Sequence, residues 1–381
     1  MEKIIKALEL GDFTIGIFLD FSKAFDTVNH KILLSKLNHY GIRGLANKWV
    51  GSYLSDRKQY TTYNGANSAT TNIKCGIPQG SILGPILFLL YINDLGSISP
   101  TLSPIMFADD SNLFMSGSNL STLSNSLNQE IPILLEWLRS NRLSLNVDKT
   151  HAMIFGKQKN PNPNDINLYI DGKRLEIVNS TKFLGVILDS NLNWKEHISY
   201  LSTKIAKSIG IISLARKNLN QQTLIQLYHA FIYPYLSYCI LIWGNSPAST
   251  LWPVLRLQKL ALRIITNSNF RASTLPFCKK HTILRLPEIY TLNAGIFMFK
   301  FSKSLLPSIF QDLFATNSAT HRYPTRRANQ LRIPRIKSKI ADSFITKTGV
   351  HIWNSITRTL NTETKLGTFK RALKLSLAKD Y

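Results

Sequence analysis

The chain is 381 residues long and strongly basic, with 46 Lys and Arg against 22 Asp and Glu and a formal net charge of +24 at pH 7. That length allows roughly two or three domains with a sizeable core, and a field of that sign suits a polyanion held through phosphate contacts. The three cysteines (Cys75, Cys239, Cys278) do not make a disulfide framework. Cys278 and His281 have zinc-like spacing but lack a second pair, so a metal finger is rejected. Glu2 and Glu9 interrupt a signal-peptide pattern, and the longest apolar runs, Ile82–Ile92 and Ala230–Trp243, fall short of the roughly 20 residues a bilayer requires. An intracellular, reduced-compartment protein is expected.

In chain order, Thr14–Phe21 is a β-rich apolar run whose one charge, Asp20, sits near its end. Asp26 precedes a helix-like stretch, Lys31–Asn38, where it could cap the helix or serve chemistry. Gly76–Leu95 then joins a glycine loop to an apolar helix. Gly76 and Gly80 permit backbone conformations closed to other residues, Ser81 is an N-cap candidate, and Pro85 fits only a first turn. Leu83, Leu87, Leu90 and Tyr91 recur at helical spacing and should be core, which leaves Gln79 as the polar side chain free for a ligand.

Ser103–Gly117 consists of two short apolar runs around Asp109 and Asp110, a β-hairpin with the acids at its tip. Two like charges about 4 Å apart repel by roughly 4 kcal/mol at an effective dielectric near 20. A hard divalent cation with oxygen ligands offsets that directly. Asp20 could meet this hairpin side by side in one antiparallel sheet, and carboxylates from two strands at one spot can hold two Mg2+ ions for in-line phosphoryl transfer.

Downstream, a helix is expected from about Ser121 to Asn141 with Leu127, Leu134, Leu135 and Leu138 on one side. Gln158–Asp165 reads as a loop, and Leu168–Val178 as a hairpin around Asp171-Gly172 with a type I′ signal. From Trp194 the pattern turns helical, with Ile198, Leu201, Ile205, Ile209 and Ile212 on one stripe, and Leu251–Ile265 adds another helix. Residues 271–381 hold 20 Lys and Arg against 5 Asp and Glu, densest in His321–Lys339, where prolines break the segment into an irregular basic arm. Asn267–Ser273 is the best joint before it.

Leu19–Asp26, Gly76–Pro85 and Phe107–Asp110, in this order, resemble motifs A, B and C of the reverse transcriptases of non-LTR (LINE-type, jockey-like) retrotransposons. Leu143–Thr150 looks like motif D of that family and Phe183–Leu188 like its primer-grip motif E, so the likeness spans residues 10–200. With less specificity, His321–Arg326 and Gly349–Asn354 are similar to the tails of jockey-like elements.

The resemblance implies an α+β fold: a right-hand polymerase palm with a mainly antiparallel sheet over 1–195, a helical thumb over 196–270 and a basic nucleic-acid-binding region over 271–381. It implies an RNA-directed DNA polymerase adding dNTPs to a primer 3′-hydroxyl. Asp20, Asp109 and Asp110 would be the catalytic, metal-holding acids, with two Mg2+ ions (Mn2+ as substitute) and the Phe21 carbonyl as a backbone ligand. Phe25 matches the family's steric gate against a ribose 2′-hydroxyl, plain core packing being the alternative. Gln79, with Gly80, matches the nucleotide pocket. Lys149 matches the lysine proposed to protonate pyrophosphate, the alternative being a solvated turn. Phe183, Leu184 and Gly185 match the primer grip.

The implied partners are an RNA template, a DNA primer, dNTPs and the retrotransposon RNA, with no membrane. The implied location is a cytoplasmic ribonucleoprotein and the nucleus. The family places its fingers, and usually an endonuclease, upstream of motif A. With Asp20 so near the start of the chain, a truncated copy with weak or no activity alone is expected. A silent remnant that only binds nucleic acid and a group II intron maturase-type enzyme are the alternatives. Phe25 and the Phe107–Asp110 hairpin argue against an RNA-dependent RNA polymerase.

Overall fold

The computed structural model describes residues 1–156, 166–320, 328, 330–336, 338–360 and 365–379. They form two compact units, Met1–Ser180 and Thr181–Tyr381.

The first unit is built on a five-stranded sheet of β1 (Phe13–Leu19), β2 (Ser103–Phe107), β3 (Asp110–Gly117), β4 (His151–Phe155) and β5 (Glu176–Ile177), in spatial order β5-β4-β1-β3-β2. All neighbours are antiparallel except β5, which runs parallel to β4. β1 lies between two partners and is buried along nearly its whole length, hence its almost unbroken apolar sequence. Gly16 pairs with Phe114, and a Cβ on Gly16 would come within 2.7 Å of that ring, so only hydrogen fits there.

The longer helices packed into this core are α1 (His30–His39), α2 (Gly44–Leu54), α3 (Leu83–Ile92) and α4 (Leu120–Ser140). Asn119 caps α4 by accepting the Thr122 N–H, and Leu127, Leu134 and Leu138 are buried at the spacing the sequence predicts. Each such leucine contributes about 1.5–3 kcal/mol by leaving water. In α3, Leu87 and Tyr91 are buried, while Leu83 and Leu90 pack at the margin. Ser81 accepts the Gly84 N–H at 3.0 Å, so it caps the helix in substance.

The Asp171-Gly172 turn has two positive φ values, 47° and 74°, as a type I′ turn requires, and Ile170 pairs with Lys173. The return strand is shorter than expected, because Glu176–Ile177 leaves the hairpin to join the main sheet.

The second unit opens on a tight hairpin of β6 (Ser180–Phe183) with β7 (Val186–Asp189), one residue after β6 begins, followed by helices. α5 (Lys195–Ala215) buries Ile198, Leu201, Ile205, Ile209 and Ile212 as predicted, and α6 (Ala248–Ile265) packs along it. The two compact units meet at 180/181, fifteen residues ahead of the palm–thumb boundary expected at 195/196. Buried Gln258 of α6 reaches across the joint expected near 270. Its Nε2 donates to the Leu284 carbonyl at 2.9 Å and its Oε1 accepts the Leu286 N–H at 3.0 Å. α7 (Leu286–Ser302), which follows, packs against the helices Ile345–Thr359 and Leu366–Lys379. Ile356 and Leu373 close on Gly295, where a side chain would collide.

The loop at Gln158–Asp165, the segment His321–Arg326 and much of the basic arm lie outside the described residues. Among the described residues no helix is long and apolar enough to cross a membrane.

Candidate active site

The register of the central strands brings the acids together. β1 and β3 pair from Phe13↔Gly117 to Leu19↔Ser111, so the next step along both strands sets Asp20 beside Asp110. β2 and β3 are joined by a two-residue turn, Ala108-Asp109, with Phe107 opposite Asp110. Ala108 is held at φ 52°, a left-handed conformation that a residue with a Cβ adopts at a penalty. Asp109 therefore stands at the tip and Asp110 at the first strand position, both exposed.

The electrostatics agree with this convergence. The Asp110 carboxyl is pushed above its ordinary range by burial, then by the Asp109 charge and then by the Asp20 charge. The end of the sheet thus carries excess negative field that a cation relieves.

Asp20 is fixed through its backbone. Its N–H donates to the Thr150 hydroxyl at 3.3 Å, and its carbonyl accepts the Asn146 N–H at 2.8 Å. Ser22 N–H donates to the Ser144 carbonyl at 2.8 Å, so Phe21 faces Leu145 as a non-hydrogen-bonded antiparallel pair. In such a pair the residue's own N–H and C=O point away from the partner, here toward the β3 side. Among the described residues no hydrogen bond ends on the Phe21 carbonyl.

This donor set fits a hard divalent cation. It consists of carboxylate oxygens and one backbone carbonyl, and Asp110 already feels two like charges. Among the described residues no group of three or more His, Cys, Asp or Glu side chains is gathered so as to hold a metal ion by itself. An open site of this kind suits Mg2+, which takes one or two carboxylates and fills its remaining positions with water and substrate phosphate.

A second cluster forms where the glycine loop meets the segment after Asp20. Ile77 N–H donates to the Phe25 carbonyl and Gly76 N–H to the Val28 carbonyl, both at 2.8 Å. His30 Nε2 lies 2.7 Å from the Gly76 carbonyl. Gly76 is at φ 90°, and a Cβ there would sit 2.7 Å from the Asp26 carbonyl oxygen, so glycine is required twice over. Gln79 Nε2 donates to Asp26 Oδ1 at 3.0 Å. Asp26 therefore does not cap α1. Asn29 does, accepting the Ile32 N–H at 3.1 Å. Gly80, at φ 80°, has open space around it.

The Phe25 ring is half-buried and stacks on the fully buried Phe88, centroids 4.5 Å apart. It rests on the core by one face and keeps part of its surface open. Lys149 is exposed in the turn before β4, adjacent to the Thr150 that holds Asp20. Phe183 ends β6, and Leu184 and Gly185 form the β6–β7 turn in the second unit, with φ 46° at Leu184 and 80° at Gly185. Tyr238 Oη donates to the Leu184 carbonyl at 2.7 Å and braces this turn.

Sequence reasoning missed Thr150, Asn29 and the Asp26–Gln79 pair. Thr150 and Asn29 carried only the signal of a short polar side chain beside a named motif. The pair carried none, since its members are 53 residues apart.

Residues 4–202 match the family described as reverse transcriptase (RNA-dependent DNA polymerase). The chain belongs to the reverse transcriptase family. Asp20, the glycine loop and the Asp109-Asp110 hairpin all fall inside the matched span. This reverse transcriptase is 27% identical over 307 residues to a probable RNA-directed DNA polymerase from transposon X-element of Drosophila melanogaster, covering 76% of this chain and 32% of that protein. It is 28% identical over 275 residues to the RNA-directed DNA polymerase from mobile element jockey of Drosophila funebris, covering 69% and 30%. The chain spans about a third of the length of these curated relatives. A telomerase structure from Candida albicans aligns over 82% of this chain and 51% of its own at 15% identity and a TM-score of 0.40, too loose a likeness to support an argument.

Proposed function

We propose that this chain carries the RNA-directed DNA polymerase centre of a non-LTR retrotransposon and extends a DNA primer on an RNA template. The observation that carries this reading is the convergence of Asp20, Asp109 and Asp110 at one end of two paired strands, inside the family's matched span.

Asp20, Asp110 and Asp109 are the residues that would hold divalent cations, with the Phe21 carbonyl as a further oxygen donor. When bound there, two Mg2+ ions, or Mn2+ in their place, supply the charge that stabilises an in-line displacement at phosphorus. Thr150 and Asn146 hold the backbone of Asp20 so that its carboxylate is presented without reorganisation. The Phe25 ring, seated on Phe88, cannot retreat from a ribose 2′-hydroxyl and so favours deoxynucleotides. Asp26 holds the Gln79 amide, and the positive φ of Gly80 keeps side-chain bulk out of the loop where a nucleotide approaches. Lys149 is the group we assign to protonating departing pyrophosphate, and the Phe183–Gly185 turn is the part we assign to the primer. The retrotransposon's own RNA is the template this reading assigns, met in a cytoplasmic ribonucleoprotein and in the nucleus.

The test is extension of a DNA primer on an RNA template by the full chain with Mg2+. Template-directed dNTP incorporation, weak for this chain alone, abolished by EDTA and poorer still with ribonucleotides, is expected. A chain that binds primer-template tightly but adds no nucleotide at any Mg2+ concentration contradicts the reading.

A further inference from the structure

α2 and the segment after it carry exposed aromatic surface: Tyr53 packs in part against the core, while Trp49, Tyr60 and Tyr63 stay open to solvent. Trp49 and Tyr53 lie four residues apart on α2, their rings stacked at an interplanar angle of 13° with centroids 6.1 Å apart. The Arg57 guanidinium lies 5.5 Å from the centre of the Tyr53 ring, adding a cation to the end of the stack. Trp49 is 58% exposed, so a large apolar face stays in water.

The chain then runs out into a narrow ribbon. Lys58–Gln59 pairs with Thr71–Asn72, and Thr62–Tyr63 pairs with Ala66–Asn67 around an Asn64-Gly65 turn. Every residue from 58 to 72 is exposed. Two-stranded ribbons of this kind are marginal alone, yet this one presents Tyr60 and Tyr63 at 59% and 78% exposure. Residues 40–75 contain five basic residues and a single acid, Asp56. Exposed rings interleaved with cations and almost free of carboxylates make a surface for a polyanion with planar faces.

Geometry also says which polyanion. The ribbon closes where Ile73 N–H donates to the Arg57 carbonyl at 2.8 Å, three residues before Gly76. The base of the ribbon thus runs, within three residues, into the glycine loop that carries Gln79. Duplex bases are already stacked on each other and offer no faces to protein rings; an unpaired strand does.

We infer that Trp49, Tyr53 and Arg57, with Tyr60 and Tyr63 of the ribbon, form a stacking platform for the unpaired template strand ahead of the primer terminus. The inference rests on the polymerase reading above and adds to it the surface that threads single-stranded RNA toward the nucleotide loop. Phosphates pass along the basic side chains, and bases stack on the rings without sequence preference.

The test is fluorescence anisotropy of the full chain, without nucleotide, on three primer-templates: blunt, with a 5′ template overhang of unpaired RNA, and with an equal 3′ template overhang. The wild type should bind the 5′ overhang substrate at least tenfold more tightly than the blunt one, and the 3′ overhang should add little. Trp49→Ala and Tyr63→Ala should each remove most of that increment, tenfold being about 1.4 kcal/mol, and leave blunt binding unchanged. Trp49→Phe, which keeps a ring, should restore most of it. Tyr63 lies on the exposed ribbon, so its replacement does not threaten the core. Variants that keep the full 5′ increment, or that lose blunt and overhang binding alike, overturn the platform. Primer extension by the wild type, run in parallel, shows separately whether the polymerase reading stands.

Discussion

Replacing Gly76 with alanine should be far more damaging than making the same change at Gly80, although both glycines sit in one loop at positive φ. At either position an L residue pays about 1–2 kcal/mol for the left-handed backbone. At Gly80 that is the whole effect, since no atom lies within 4 Å of the new Cβ. At Gly76 the Cβ would lie 2.7 Å from the Asp26 carbonyl oxygen, 3.0 Å from its Cα and 3.1 Å from its carbonyl carbon. Those are backbone atoms of a segment tied by the Gly76-to-Val28 and Ile77-to-Phe25 hydrogen bonds, so they cannot swing aside as a side chain would. Overpacking of this kind adds about 1–3 kcal/mol, giving a total near 2–5 kcal/mol for Gly76→Ala. Urea unfolding followed by hydrogen exchange of the peptides covering β1 and β3 reads the first unit separately from the second. Any relief by displacing Asp26 also loosens its bond to Gln79, so the KM for dNTP should rise in whatever fraction stays folded. Equal stabilities for the two variants, within about 0.5 kcal/mol, would refute the steric argument.

Three further outcomes are expected. His197 is fully buried, and desolvation lowers its pKa from 6.5 to about 4, so the unfolded chain binds the extra proton first. Its contribution, about 3 kcal/mol, is fully present above pH 6.5 and lost as pH falls toward 4; urea midpoints across that window should show the loss in wild type and a flatter profile in His197→Phe. Phe25→Val removes the ring that rests on Phe88, so ribonucleotide incorporation should rise about tenfold or more relative to deoxynucleotide, read as the ratio of kcat/KM values; an unchanged ratio would make Phe25 a core residue only. Gln258→Ala strands the Leu284 carbonyl and the Leu286 N–H in a buried site; a loss of about 2–4 kcal/mol is expected in denaturant titrations, and a loss under about 1 kcal/mol would deny that Gln258 ties 251–302 together.

What could be read from the sequence was what local periodicity and short motifs encode. The strand carrying Asp20, the Asp109-Asp110 hairpin, the type I′ turn at Asp171-Gly172 and the stripe from Ile198 to Ile212 all announce themselves within a dozen or so residues. The meeting of Asp20 with Asp110 followed from the same logic, because two strands ending in acids are natural antiparallel neighbours. Long-range choices were not legible. Asp26 and Asn29 are both cap-forming residues before one helix, and only the position of Gln79 frees Asp26 for another role. The polar Asn267–Ser273 stretch resembles a linker, yet Arg263 Nε donates to the Ala272 carbonyl at 2.9 Å and Gln258 binds the far side, so it is a turn inside one unit. The switch of Glu176–Ile177 from its hairpin to a parallel edge of the main sheet depends on β4, some 25 residues away, and no local pattern marks it.

The central claim is that Asp20 and Asp110 act together on a bound cation rather than merely ending two strands. Single-nucleotide incorporation by the full chain on an RNA-templated DNA primer, compared for wild type, Asp20→Asn and Asp110→Asn alongside primer-template affinity, tests it most directly. Both variants should lose about a thousandfold or more in incorporation rate while their affinity for primer-template is unchanged or slightly higher, a negative charge having been removed. Incorporation by either variant at the wild-type rate would contradict that claim.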